Sequence, residues 1–169
     1  KHVPGDMREH KNLGFAAYKT ERYDEAVSEF RKVLEKEPED TEALFYLGLA
    51  EIKRNRLEDA KGYLVKALAL EPRVSILIDL GYLCNRLGLF DDALKYLEQV
   101  RESEQDNVKA ILNQGVTRYE MGELREAAQT FEQSLALSQE FAMPYYYLFM
   151  ICTKQNDTEG ATDWSRQAI

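Results

Sequence analysis

The sequence predicts an all-α fold built from repeated pairs of helices, and three observations carry that reading. The 169 residues repeat with a period of 33 or 34: Leu13-Gly14, Leu47-Gly48 and Leu80-Gly81, continued by Gln114-Gly115 and Leu148-Phe149, set their second members 34, 33, 34 and 34 residues apart. Apolar residues recur at i, i+3, i+4 and i+7 within the periods, as in Leu44, Leu47, Gly48 and in Leu77, Leu80, Gly81, Cys84, which is the spacing of one helical face. Only four Pro and nine Gly occur in the whole chain, which favours long helices over many short strands.

The elements follow in order within each period. The first helix carries the Leu-Gly marker. A mid-helix Gly costs roughly 1 kcal/mol against Ala, so its recurrence predicts a close approach of two backbones. The expected counterpart is the small residue 12 positions later: Ala26, Ala60, Ala93, Ala127 and Ala161. Four residues further come Phe30, Leu64, Leu97 and Phe131, with Ser165 in the last period. Between the two helices lie Thr20-Glu21-Arg22, Arg54-Asn55-Arg56, Leu87-Gly88, Met121-Gly122 and Gln155-Asn156-Asp157. Gly and Asn suit the positive-φ residue that ends a helix. Asp24-Glu25, Glu58-Asp59, Asp91-Asp92 and Arg125-Glu126 then open the second helix. Acidic side chains there complement the positive end of the helix dipole, and Arg125 does not. Pro38 and Pro72 close the first two periods.

These registers resemble the tetratricopeptide repeat, a 34-residue helix–turn–helix unit with a large apolar residue, Leu-Gly, Tyr, and later Ala, Phe and Pro. The match runs from Met7 to Ile169, with units 7–40, 41–73, 74–107, 108–141 and a partial unit 142–169 after an N-terminal extension at 1–6. Gln105 and Gln139 replace the Pro, Gln114 the Leu, Phe149 the Gly and Ser165 the large residue. The resemblance implies a right-handed superhelical solenoid of antiparallel helix pairs. One such unit cannot bury its own apolar faces, so stacked neighbours share a continuous core. Ile169 falls inside the second helix of the last unit with no polar capping helix after it. The expectation is that the native chain continues, or that this end pairs with something, including another copy.

Composition excludes several classes. With 44% hydrophobic and 31% charged residues this is a folding chain. The formal charge of −8 weighs against nucleic acid or an anionic bilayer as main partner. No stretch of about 18 apolar residues exists, so no membrane insertion is expected. Lys1-His2-Val3-Pro4-Gly5-Asp6 lacks both an apolar signal region and an initiator Met, so the chain is expected to be cut from something longer. Thiols and no visible export signal point to the cytoplasm, with a soluble domain of a membrane-tethered or exported protein as the alternative.

Catalytic motifs are missing: no phosphate loop, no G-x-G-x-x-G, no nucleophile elbow and no H-E-x-x-H. His2 and His10 are the only histidines. Cys84 and Cys152 lie two repeats apart, on the order of 20 Å at 8–10 Å per packed helix, beyond the reach of a disulfide at about 7 Å. Both are expected as buried thiols that fill the core. The acidic runs Glu35–Asp40 and Glu102–Asp106 read as solvated turns. No enzyme, cofactor or metal site is expected. Lys53, Arg54 and Arg56 give the second unit a net charge of +1, against −2, −4, −2 and −1 for the others in order. They form a candidate spot for an acidic partner, or a solvated turn.

In proteins of the resembling family, first helices line a concave groove with residues three before the Gly, one after it and four after it. Here the first row is Lys11, Phe45, Ile78, Leu112 and Tyr146; the second is Phe15, Leu49, Tyr82, Val116 and Met150; the third is Tyr18, Ile52, Asn85, Tyr119 and Thr153. Twelve of the fifteen are apolar or aromatic. Without Lys11 and Thr153, these are the expected partner-binding residues, although the same side chains could simply fill space between first helices. A carboxylate clamp for a chaperone tail is excluded, because only Lys11 matches its pattern and Phe15, Tyr46, Ser75 and Asp79 do not. The expected function is a non-enzymatic protein-interaction module, an adaptor or scaffold. Its groove takes an amphipathic helix or an apolar or aromatic segment of a protein or peptide. A self-assembly unit and a regulatory or docking domain of a larger enzyme or complex are the alternatives.

Overall fold

The computed structural model describes residues 5–167, and among them it contains ten helices and no strand. The chain divides into two compact units, Lys1–Leu87 and Gly88–Ile169. The first holds α1 (Gly5–Lys19), α2 (Tyr23–Lys36), α3 (Thr41–Lys53), α4 (Leu57–Leu70) and α5 (Val74–Arg86). The second holds α6 (Phe90–Ser103), α7 (Val108–Glu120), α8 (Leu124–Leu137), α9 (Ala142–Lys154) and α10 (Thr158–Gln167). Of the N-terminal extension expected at 1–6, residues 1–4 with His2 lie outside the described residues, and the backbone of Gly5 and Asp6 starts α1. Ile169 also lies outside them.

Within each unit, every helix packs on its neighbours in sequence. Three-residue turns reverse the chain between α1 and α2, α3 and α4, α7 and α8, and α9 and α10. Each reversal uses one residue in the left-handed region: Glu21 (φ 61°), Asn55 (φ 60°), Gly122 (φ 82°) and Asn156 (φ 59°); Gly88 (φ 72°) holds the same register after α5. The next amide then reaches back five residues: Arg22 N to the Ala17 carbonyl at 2.8 Å, Arg56 N to Glu51 at 2.8 Å, Glu123 N to Arg118 at 2.9 Å and Asp157 N to Cys152 at 2.9 Å. This is the Schellman termination, which satisfies carbonyls that would otherwise be orphaned. Asn and Gly adopt this conformation readily; Glu21 does not, and nothing in its side chain announces the turn it makes.

Two kinds of helix start recur, while α5 and α9 have neither a side-chain cap nor a first-turn acid, and Asp157 caps α10 by accepting from Gly160 N at 3.0 Å. First helices α3 and α7 are capped by side chains: Asp40 accepts from Ala43 N at 2.8 Å and Asn107 from Ala110 N at 3.0 Å. Second helices α2, α4, α6 and α8 have no side-chain cap and carry acidic residues in the first turn instead. The Glu35–Asp40 run is therefore more than a solvated turn, since Asp40 is half-buried and ends it as a cap.

The nearest neighbour of the recurring Gly is the large residue of the second helix, sixteen positions on. A Cβ on Gly14 would lie 2.8 Å from the Phe30 ring, on Gly48 2.8 Å from Leu64, and on Gly115 2.7 Å from the Phe131 ring. At Gly48 the expected small residue is close as well, with the Ala60 carbonyl oxygen 3.4 Å from the same position. The bare backbone thus makes room for a large side chain of the second helix. At the two phenylalanines, a tyrosine of the next first helix stacks on the same ring. Tyr46 stacks on Phe30 (ring centroids 6.0 Å, 24° between planes), and Tyr147 stacks on Phe131 (5.0 Å, 11°). Glycine, phenylalanine and tyrosine therefore pack together at Gly14–Phe30–Tyr46 in one unit and at Gly115–Phe131–Tyr147 in the other. Around them lie the cores: Ala17, Ala26, Val27, Phe30, Val33, Ala43, Leu47 and Ala50 in the first unit, and Leu112, Ala127, Phe131, Leu135, Leu148 and Ile151 in the second. The single tryptophan, Trp164 of α10, is half-buried at the far end of the second unit, 6.3 Å from the ring of Tyr145.

Candidate functional site

The first helices of unit one converge on a cavity of about 460 Å³. Tyr18 reaches it from α1; Leu49, Ile52 and Lys53 from α3; Asp79, Tyr82 and Arg86 from α5; and Asn55 from the turn after α3. Tyr18, Leu49, Ile52 and Tyr82 belong to the expected groove set, and the i, i+3 and i+4 geometry of a helix face brings them together. Tyr82 is 42% exposed. The Arg86 guanidinium sits 5.9 Å from its centroid and donates to the Asn55 side-chain oxygen at 2.8 Å. Burial pushes the Tyr18 phenol above its usual range, with Tyr23, Asp79 and Tyr46 adding to the shift.

Other expected groove residues are partly committed to packing. Phe15 is half-buried against the core, edge-on to Phe30 at 5.3 Å and to Tyr46 at 4.7 Å. Phe45 lies edge-on to Tyr46 at 5.3 Å. Ile78 and Asn85 are half-buried on α5, and the Asn85 side-chain oxygen is buried without a hydrogen-bond partner. Tyr46, which the row rule passed over, is the centre of this aromatic cluster; its place two residues before the Gly, shared by Tyr147, is the signal that could have found it.

In unit two the expected row divides by depth. Tyr146 is 57% exposed, and Val116, Tyr119 and Met150 are half-buried. Leu112 is only 3% exposed and belongs to the core with Phe131 and Leu148, which corrects its assignment to a contact surface. Tyr119 lies edge-on to Tyr147 at 5.0 Å, with the Lys154 ammonium 4.1 Å from its centroid.

The basic spot is also rearranged. Arg54 turns inward: its guanidinium meets Glu51 at 2.8 Å and Asp24 at 2.7 Å. Glu51 is completely buried, and its other oxygen takes Arg31 at 3.1 Å. Arg54 is thus a structural cation, held protonated by Glu51 and Asp24 against the opposing effect of burial. Arg56 is exposed outside the cavity, and Lys53 lines it. The second cation of the site is Arg86, five residues after Gly81 as Lys53 is five after Gly48.

Lys11, the one match to a carboxylate clamp, is tied to Asp40 at 2.9 Å and Glu42 at 3.0 Å. Burial opposes its charge, but the two carboxylates more than offset that and hold the ammonium above its usual range. Cys84 is buried and Cys152 only half-buried, both as thiols. Burial, with Asp157 nearby, raises the Cys152 thiol, which suppresses the thiolate a nucleophile needs. Among the described residues, no group of three or more His, Cys, Asp or Glu could hold a metal ion, and no helix is long and apolar enough to cross a membrane.

The family model described as Tetratricopeptide repeat matches residues 12–72, 52–108 and 78–141. The chain belongs to the tetratricopeptide repeat family. Membership supports a protein-interaction role, as the family's repeats are generally non-enzymatic scaffolds. A curated relative, the TPR repeat-containing protein MJ1428 of Methanocaldococcus jannaschii, is 27% identical over 125 residues. That alignment takes in 73% of this chain and 22% of the relative, so the chain spans about a fifth of that protein's length. Among solved structures, MamA 41-end from Desulfovibrio magneticus RS-1 superposes with a TM-score of 0.88 at 17% identity, covering 99% of this chain and 95% of that one. MamA MSR-1 superposes with 0.78 at 22% identity, covering 96% and 94%. These likenesses show the helical-repeat fold.

Proposed function

We propose that the chain is a non-enzymatic adaptor or scaffold module, with the helix pairs over 7–40, 41–73, 74–107, 108–141 and 142–169 as its repeats. Its first unit binds an apolar or aromatic segment of a protein partner, helical or extended, on the face made by α1, α3 and α5. The convergence of Tyr18, Leu49, Ile52 and the exposed Tyr82 on one cavity carries this reading. Tyr offers area together with a hydrogen bond, the combination that enriches it at interfaces. Capture of a chaperone-tail carboxylate is not part of the proposal, because Lys11 is neutralised by Asp40 and Glu42 and Phe15 is packed.

The test is an array of overlapping peptides from the source proteome, probed with wild type and Tyr82→Asp side by side. Peptides with apolar anchors are expected to bind the wild type and to be lost by the variant, with helicity by circular dichroism unchanged. Equal binding by a folded Tyr82→Asp protein removes the cavity from the function. A second reading rests on the greater length of the archaeal relative: the same module serves as the docking part of a larger protein.

A further inference from the structure

We propose that the unit-one cavity selects a partner segment in which an Asp or Glu flanks the apolar anchor, its carboxylate seated between Lys53 and Arg86. This rests on the reading that the cavity binds a peptide, and it adds the chemistry of the peptide. The apolar anchor lies on Tyr82, Leu49 and Ile52, and the cations fix its register.

Four observations point to this occupant. Lys53 lines the cavity and makes no ion pair among the described residues, in a chain with 30 carboxylates. Its neighbours Glu51 and Arg54 are saturated by each other, Arg31 and Asp24, so none of that network reaches out to neutralise it. Arg86 is held in place by the Asn55 oxygen at 2.8 Å and by the Tyr82 ring, with only one of its five N–H donors spent on Asn55. A guanidinium fixed beforehand loses little freedom on meeting a carboxylate. The cavity is also polarised along α5. Asp79 stands seven residues from Arg86, about 10 Å along the helix axis, at the end where it acts on Tyr18. Lys53 and Arg86 both lie at the other end. Finally, residues 1–87 carry 15 basic and 16 acidic side chains, net −1, whereas residues 88–169 carry 7 and 14, net −7. Of the two units, the first opposes an acidic segment less.

Last-turn cations also answer the helix dipole, and Lys19 does so at the same register of α1. The dipole accounts for the sign of Lys53 and Arg86. It requires neither the anchoring of Arg86 on Asn55 nor the opening of both cations onto one cavity.

The experiment is selection of random 12-residue peptides displayed on phage against the whole chain, as wild type, Tyr82→Asp, Lys53→Glu and Arg86→Glu, with helicity checked for each. Wild type is expected to enrich apolar or aromatic anchors with Asp or Glu at a fixed offset. Lys53→Glu, a change at an exposed and unpaired side chain, keeps the anchor and loses the acidic preference. Arg86→Glu also loses the acidic preference, and because Arg86 lies beside the Tyr82 ring it weakens the anchor as well. In a selected peptide, changing the acid to its amide weakens binding to wild type about tenfold, in line with a hydrogen bond to a charged group, and binding to Lys53→Glu less than twofold. Anchors enriched with no acidic preference, or an acidic preference unchanged in Lys53→Glu, overturn this inference and leave the peptide-binding reading standing. Failure to enrich any sequence that depends on Tyr82 overturns both.

Discussion

Removing both arginines around Glu51 should cost far more than removing the glutamate as well. The Glu51 carboxylate is fully buried, and each oxygen has one cationic partner, Arg31 at 3.1 Å and Arg54 at 2.8 Å. The arginines reach water, with side chains 53% and 30% exposed, and Arg54 has a second carboxylate in Asp24. The burden is therefore one-sided. Arg31→Ala with Arg54→Ala strands a buried charge, which costs about 3–5 kcal/mol. At about 2–4 °C per kcal/mol for a chain of this size, the melting temperature falls by roughly 6–20 °C. Adding Glu51→Met to that pair removes the stranded charge and restores an apolar contact, so the triple variant should recover about 2 kcal/mol or more of the loss. Urea unfolding at pH 7, followed by circular dichroism for wild type, double and triple variants, gives the comparison. A triple variant no more stable than the double would show that the arginine stems, not the buried carboxylate, account for the loss.

Three further outcomes are expected. Glu21→Gly relieves the single non-Gly, non-Asn left-handed residue at these turns and should raise stability by about 0.5–1 kcal/mol; a lower melting temperature would contradict the strain argument. Gly115→Ala drives a methyl into the Phe131 ring and should cost about 1–3 kcal/mol, with Phe131→Leu in the same chain relieving part of it; additive losses in a double-mutant cycle would refute the contact. Burial raises the Glu29 carboxyl, but Lys32 and His10 more than offset it and leave the group below its usual value of 4.5. Its contribution to stability is present above that value and fades as pH falls through the lowered one. Glu29→Gln should therefore flatten the acid limb of the stability profile below about pH 5, and an unchanged limb between pH 5 and 3 would count against it.

The periodic skeleton could be read from residues because it is written in residue types that few other positions tolerate. Leu-Gly marks the first helices, and Asn55, Gly88, Gly122 and Asn156 mark the left-handed turns. Glu21 escapes such a reading, since a glutamate there is held by its place in the repeat rather than by its own preference. The large neighbour of the Gly was passed over because sequence suggests small against small, whereas the vacancy over a Gly is deep enough for a ring. Glu51 could not be recognised as buried: Arg31, which helps neutralise it, lies twenty residues back on another helix. At the candidate site, the row rule named Tyr18, Leu49, Ile52 and Tyr82, which line one cavity. It missed Arg86 and Asn55, which read as ordinary helix-end residues, and included Leu112 because a register gives direction around a helix and not depth. Arg54 was taken for surface because its partners Asp24 and Glu51 come together only on folding.

The placement of Trp164 has a practical consequence. As the only indole, half-buried beside Tyr145 at the end of unit two, it makes intrinsic fluorescence a local gauge of the α9–α10 hairpin. Far-ultraviolet dichroism averages over all ten helices, and ring dichroism reports the stacked Tyr46 and Tyr147. Each repeat in such a chain is stabilised chiefly by its neighbours. A fluorescence transition that precedes the dichroic one would be the signature of the α9–α10 hairpin loosening on its own. Variant stabilities are best ranked by the helical signal for that reason, with the indole kept as a separate clock for the last hairpin.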